Sequence, residues 1–273
     1  MLNRIRFVNN IGRISIRNYS TNVVRSKDCD FYAKEEGSVG TFEYRVKFFD
    51  KNDKQISAWH VIPMQPTPAT LSGGSDNKQL YNFIVEMPKH TTEKMEVNTS
   101  EQLNPIKQDI KKGALRYIKH GKIPYNYGCI PQTWEDPHHL DPLAGYPGDN
   151  DPIDVVEVSQ QPFQRGSIKQ VKVLGSVPLI DEGETDWKVI VIERENPQFD
   201  KINSIKDLEI HIPGTVQAIK DWYQYYKVSE GKEANKYALD GVPVEYKQTH
   251  SIIQTTHDHW SKLIKGNVNF KFD

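Results

Sequence analysis

The chain has 273 residues, 37% hydrophobic and 26% charged, with a formal net charge of −1. Five Trp, 13 Tyr and 10 Phe supply material for a core, which excludes disorder throughout, and no apolar stretch nears the roughly 20 residues of a membrane-spanning helix. The charge balance argues against a nucleic-acid partner, and Cys29 and Cys129, neither in a CxxC pair, read as free thiols in a reducing compartment rather than a zinc site or disulfide framework.

In chain order, the first segment stands apart. Arg4, Arg6, Arg13, Arg17, Arg25 and Lys27 all precede the first acidic residue, Asp28. A basic, acid-free start with scattered Leu, Ile, Phe and Val has the composition of an organellar transit peptide. Wound as a helix, Arg6, Arg13 and Arg17 share one stripe and Phe7, Ile11 and Ile14 another. Arg17-Asn18-Tyr19-Ser20 resembles a mitochondrial processing site, so residues 1–27 are expected to be a mitochondrial leader and 28–273 the folded domain. Residues 1–19 hold four basic residues and no acidic one; without them the chain has 31 basic against 36 acidic residues, a net charge of −5.

Alternation at Phe42, Tyr44, Val46 and Phe48 predicts a strand over Gly40–Phe49. Lys51–Lys54 reads as a turn and Ile56–Ile62 as the returning strand. Pro66–Lys78 is a loop by its Pro, Gly, Ser and Thr content. Further strands are expected at Tyr81–Met87, Lys94–Val97, Val155–Val158, Val171–Gly175 and Trp187–Glu193. Helical periodicity comes late: a short helix capped by Ser204 and running to Glu209, Thr215–Tyr226 with Val216, Ile219, Trp222 and Tyr226 on one face, and Ser251–Ile264, stopped by Gly266. Short strands followed by helices suggest one domain, a β-barrel with helices packed outside.

The stretch PGDNDPIDVVEV, residues 147–158, places Asp149, Asp151 and Asp154 within six residues. Carboxylates this close repel one another unless cations sit among them. Oxygen donors with no His nearby point to a hard ion, Mg²⁺, Mn²⁺ or Ca²⁺. An EF-hand fails, because its sixth and twelfth positions, counted from Asp149, hold Asp154 and Gln160 rather than Gly and Glu. A second acidic turn, DEGETDWK at 181–188, adds Asp181 and Asp186 beside Lys188. A barrel would bring the two turns together, giving more aspartates than one Mg²⁺ requires. Taken alone, either turn reads equally as solvated surface.

On these residues the chain resembles the family I (soluble) inorganic pyrophosphatases of the eukaryotic type. Asp149, Asp151, Pro152 and Asp154 match the family signature Asp-x-Asp-Pro-x-Asp, and YNFIVEMPK, NPIKQDIKKGALRY, NYGCIPQTWEDP, LIDEGETDWKVI and YYKV are similar to family blocks in the expected order, from about residue 40 to 265. The resemblance, with the leader, suggests a mitochondrial form in the matrix. It implies an α+β, mainly β fold on a five-stranded OB-like closed barrel with flanking helices, a homodimer, and hydrolysis of Mg-pyrophosphate to two orthophosphates by direct attack of metal-activated water. Asp149, Asp154 and Asp186 would hold the activating ions and Asp181 further Mg²⁺, with Mn²⁺ a substitute. Asp151 would orient the attacking water, and Glu86 and Glu96 would bind ions or their waters. Lys94, Arg116, Lys188 and Lys227, with the Tyr127 and Tyr226 hydroxyls, would grip the phosphates, the charge stabilisation on which phosphoryl transfer depends.

Each residue has a plainer reading: the lysines as solvated surface, Arg116 paired with Asp109, Tyr226 as core, Trp134 as loop support, and His257-Asp258-His259 as packing on the last helix. Two positions depart from the family. Lys89 stands where an Arg is usual, losing a bidentate phosphate grip. Between Arg116 and Tyr127 the chain is shorter than in eukaryotic relatives and lacks the Tyr often assigned as proton donor; Tyr125 and Lys122 are the substitutes at hand, and neither is assigned. Two rivals stand beside this reading: a related phosphohydrolase acting on another small phosphate compound, and a non-catalytic metal- or phosphate-binding subunit, which the shortened loop alone favours.

Overall fold

The structure is a computed structural model describing residues 22–26, 29–67 and 80–266. Its strands are β1 (Asn22–Arg25), β2 (Phe31–Glu36), β3 (Arg45–Asp50), β4 (Gln55–Ile56), β5 (Leu80–Met87), β6 (Met95–Val97), β7 (Ile106–Gln108), β8 (Ile110–Lys111), β9 (Ala114–Leu115), β10 (Asn126–Cys129), β11 (Asp154–Glu157), β12 (Ile168–Asp181) and β13 (Glu184–Glu193). Helices α1 (Ile205–His211) and α2 (Thr215–Tyr225) follow, then β14 (Lys236–Tyr237), β15 (Val244–Glu245) and α3 (Tyr246–Ile264). No helix of the described residues is long and apolar enough to cross a membrane.

Five strands pair in a ring: β5 with β10, β10 with β11, β11 with β13, β13 with β12, and β12 back with β5. This is the five-stranded closed barrel expected from the sequence. Its closure is possible because β12 is 14 residues long and shifts register between Val173 and Gly175, so that Ile168–Lys172 pair with β5 while Val171–Asp181 pair with β13. Closing the ring leaves these strands without a free edge. Gly128 lets β10 lie close on β5, since a Cβ there would stand 1.9 Å from the Ile84 carbonyl oxygen. A second sheet, in the order β1-β2-β3-β7-β6 with β4 on β3, flanks the barrel.

Strand alternation divides the core. Trp187, Val189 and Val191 of β13 join one apolar cluster with Ile252 and Ile253 of α3, while Ile190 and Ile192 join another with Leu208, Val216 and Ile219 of α1 and α2. Each fully buried Val, Ile or Leu side chain contributes roughly 1.5–3 kcal/mol.

The elements differ from expectation mainly at their ends. The first strand begins at Arg45, because residues 40–43 turn and Phe42 is exposed. The returning strand stops at Ile56 and residues 58–61 form a turn, with the Val61 N–H donating to the Ser57 carbonyl. Ser204 caps α1 by accepting from the Asp207 N–H at 3.1 Å, but α3 starts five residues earlier than expected, at Tyr246. On α2 the buried residues are Thr215, Val216, Ile219 and Tyr223, with Trp222 half-buried. Asn22–Arg25, within the span of the expected leader, pair with β2 and bury Val24; residues 1–21 lie outside the described residues, as does most of the Pro66–Lys78 loop. Cys29 and Cys129 are both free.

Candidate active site

Two-residue spacing on β13 sends Asp186 and Lys188 to one face. Asp154 opens β11, Glu86 lies on β5, Tyr127 on β10 and Glu96 on β6, with Lys94 just before it. Arg116 follows β9, Asp181 ends β12, and Tyr226 and Lys227 follow α2. Together with Asp149 and Asp151, all of these line one cavity of about 240 Å³. The fold thus brings together every residue to which the resemblance gave an ion- or phosphate-binding role.

The turn carrying Asp149 and Asp151 is fixed by its own carboxylate and by a neighbouring segment. Asp149 Oδ1 accepts from the Asp151 N–H at 3.0 Å. Glu135 N–H donates to the Asp151 carbonyl and Asn150 N–H to the Glu135 carbonyl, both at 2.9 Å. Trp134 Nε1 donates to Asn150 Oδ1 at 3.1 Å, which makes this indole a support of the loop. At Gly148 a Cβ would stand 2.3 Å from the Glu135 backbone, so only glycine fits there. A β-bridge from Gly148 to Thr185 ties the turn to β13 and sets Asp149 beside Asp186.

Nine carboxylates and four cationic side chains line the cavity. Each cation is engaged: Lys94 Nζ with Glu96 at 3.0 Å, Lys188 Nζ with Asp186 at 2.6 Å and with Asp154, Lys227 Nζ with Asp181 at 2.5 Å, and Arg116 Nη1 with Asp109 at 3.0 Å. The Tyr226 hydroxyl donates to Asp181 at 2.9 Å, and the Tyr127 hydroxyl donates to Asp154. Burial pushes the Glu86 carboxyl up to about 8 and that of Asp186 up to about 7, in both cases against a nearby lysine and with help from Asp154. Asp149 is also raised, by burial and then by Asp186, Asp151 and Asp154. Asp154 goes the other way: burial opposes its charge, but Lys188 and Lys94 outweigh burial. For Lys94 the balance is similar, with Glu96, Asp154 and Glu86 overcoming burial to hold the ammonium charged.

Sequence reasoning missed Glu135. One oxygen of Glu135, Asp149 and Asp186 each lies within 4.8 Å of the others, a group able to hold a metal ion. Glu135 is 3% exposed; its Oε1 accepts from the Trp187 N–H at 3.1 Å, and its buried Oε2 has no hydrogen-bond partner. Burial raises its pKa, followed by the charges of Asp149, Asp186 and Asp154. The residue sits in PQTWEDP, where only Trp134 drew attention, and no spacing marks it out.

Other candidates lie elsewhere. Lys89 does not line the cavity: its Nζ reaches the Ser159 carbonyl at 3.5 Å. Tyr125 packs against the core and Lys122 is exposed; neither lines the cavity. His257 Nδ1 lies 2.7 Å from the Gln132 carbonyl and its ring stacks on Trp260, as expected of a packing residue. Arg116 does pair with Asp109, and Tyr226 is buried, so for these two the plainer readings describe real contacts within the same cavity.

The model of the family described as inorganic pyrophosphatase matches residues 83–261. Soluble inorganic pyrophosphatase 6, chloroplastic, of Arabidopsis thaliana is 44% identical over 237 residues, covering 86% of this chain and 75% of its own length. The inorganic pyrophosphatase of Debaryomyces hansenii is 44% identical over 243 residues, covering 87% of this chain and 81% of its own. Among solved structures, the N-terminally truncated vacuolar soluble pyrophosphatase of Trypanosoma cruzi in complex with PPi is 35% identical, with a TM-score of 0.80 over 97% of this chain and 100% of that one. The chain therefore belongs to the inorganic pyrophosphatase family, as an enzyme of its soluble eukaryotic type.

Proposed function

We propose that this protein hydrolyses inorganic pyrophosphate to two orthophosphates in the mitochondrial matrix, as a homodimer using several Mg²⁺ per site. The observation that carries the reading is one cavity in which carboxylates outnumber cations and phosphate-binding side chains stand among them. Divalent ions fit the residues present. Glu135, Asp149 and Asp186 converge as hard oxygen donors, and an ion there would give the orphaned Glu135 Oε2 a partner. When bound, such ions offset the clustered negative charge and lower the pKa of a bound water. Asp154 and Asp181 extend the donor set, and Glu86 and Glu96 face the same space. Asp151, the solvent-exposed member of the cavity aspartates, orients the attacking water and takes its proton. Lys94, Arg116, Lys188, Lys227, Tyr127 and Tyr226 hold the phosphates and stabilise the charge that moves to the leaving oxygen.

The test is phosphate release from pyrophosphate by the protein lacking residues 1–19, with and without Mg²⁺, beside Asp151→Asn. The expected result is Mg²⁺-dependent release that falls about 10²–10⁴-fold in the variant; equal rates overturn the reading. ATP and a phosphomonoester in parallel separate it from a broader phosphohydrolase. For location, the leader composition is the support, and a cut within Arg17–Ser20 leaves β1 intact. Residues 1–27 fused to a fluorescent protein should enter mitochondria, and accumulation elsewhere overturns that part. Sedimentation of the cleaved form should give twice the chain mass.

A further inference from the structure

Arg116 is only half satisfied. Its Nη1 donates to Asp109 at 3.0 Å, while Nε and Nη2 are buried without a hydrogen-bond partner among the described residues. Glu230 stands next to it. This residue ends the 3₁₀ turn Val228–Glu230 that follows Lys227, and its N–H donates to the Lys227 carbonyl at 2.9 Å. Its carboxylate is largely buried, with Oε2 3.1 Å from Lys111 Nζ and 3.9 Å from Arg116 Nη2, and with Oε1 unpartnered. Lys111 ends β8 and Arg116 follows β9, so one carboxylate joins the β8–β9 hairpin to the segment carrying Tyr226 and Lys227.

We infer that Glu230 is a positioning residue for the phosphate grip; this rests on the phosphate-binding roles proposed above for Arg116, Tyr226 and Lys227. Arg116 and Tyr226–Lys227 reach the cavity from different parts of the chain. At 3.9 Å, Glu230 orients the guanidinium by charge without occupying its N–H groups, which leaves Nε and Nη2 for phosphate oxygens in the forked geometry arginine favours. Lys111 holds Oε2 in a hydrogen bond and so keeps it from closing fully on Arg116. Removing Glu230 frees the guanidinium to settle on Asp109. Removing Lys111 lets Glu230 close on Arg116 and compete with substrate.

The experiment is a double-mutant cycle on KM and kcat for Mg-pyrophosphate, with melting temperature measured throughout. Turnover by the unmodified protein is established first; its absence removes the pyrophosphatase reading and this inference together. Given that turnover, Glu230→Gln should raise KM about tenfold, the scale of one charged contact, with a smaller change in kcat. Lys111→Met should raise KM by less, and the double variant should fall short of the product of the two. Glu230→Asp, which keeps the charge, should recover part of the loss. An unchanged KM in Glu230→Gln overturns the inference. So does a fall in kcat and melting temperature with KM constant, which marks a purely structural residue. If Glu230→Gln does not fold, Glu230→Asp and Lys111→Met decide: normal KM in both overturns it.

Discussion

Adjacent residues on β13 are buried for opposite reasons. Trp187 is 1% exposed and Lys188 2%. Trp187 lies among Val155, Val189 and Ile252, with its Nε1 donating to Asp141 at 2.9 Å. Such a ring removes roughly 150–250 Å² from water and is stabilising as it stands. Lys188 takes a charge out of water, which costs several kcal/mol before its partners offset it. Asp186 at 2.6 Å and Asp154 provide that offset. Equal burial therefore hides unequal energetics: the apolar face is complete in itself, while the polar face holds its lysines by pairing and leaves carboxylates in excess, where function calls for added cations.

The largest test removes each residue in turn. Lys188→Met takes the ammonium from buried Asp186 and from half-buried Asp154, which keeps the Tyr127 hydroxyl, and should cost about 3–5 kcal/mol in chelator, with most of it restored by Mg²⁺. Trp187→Ala should cost a similar amount, about 3–5 kcal/mol, with no more response to Mg²⁺ than the unmodified protein shows. Melting temperatures in chelator and in Mg²⁺ distinguish the two faces. If Mg²⁺ rescues both variants or neither, the contrast between them is wrong.

Metal removal sharpens the same contrast in the unmodified protein. An ion at about 100 times its Kd stabilises by about 2.7 kcal/mol, which in a domain of this size is about 5–10 °C of melting temperature. That gain should vanish in the chelator. pH should act through the same carboxylates. In the metal-free protein Glu86 is raised from 4.5 to about 8 and Asp186 from 3.8 to about 7, burial being the main cause. Between those limits the folded state binds more protons than the unfolded one, so their contribution is full below about pH 4 and lost as pH rises toward about 8. The melting temperature in chelator should therefore fall across that interval relative to its value in Mg²⁺, and a gap that stays constant with pH counts against this assignment.

The polar face was partly legible in the sequence because its signal is local. Three aspartates within six residues announce themselves, and so do Asp181 and Asp186 in an acidic turn that leads into a predicted strand with Lys188 near its start. Glu135 was not legible, since what distinguishes it is burial against Asp149 and Asp186 and a bond from Trp187, none of which leaves a spacing in the chain. β2, with the sequence FYAKEE, escaped for a related reason: its half-buried charged residues break the apolar alternation that marks a strand. β12 is legible only at Val171–Gly175, because Lys169 and Pro178 interrupt the apolar run on either side. Apolar pattern reports contact with core; it is silent where charge is buried by tertiary partners.

The smallest predicted effect asks whether the two faces communicate. Thr185 lies on the apolar side of β13 but next to Asp186, and it holds the turn that carries Asp149 in two ways. Its N–H donates to the Pro147 carbonyl at 2.6 Å, and its hydroxyl to the Tyr146 carbonyl at 2.8 Å. Thr185→Val removes only the hydroxyl bond, worth about 1 kcal/mol or about 2–4 °C of melting temperature. Because the backbone bond and the Gly148 bridge remain, turnover and the Mg²⁺ requirement should not change. Should the variant need more Mg²⁺ for half-maximal turnover, the hydroxyl rather than the backbone sets the distance between Asp149 and Asp186, and the apolar face is then part of the metal site's support.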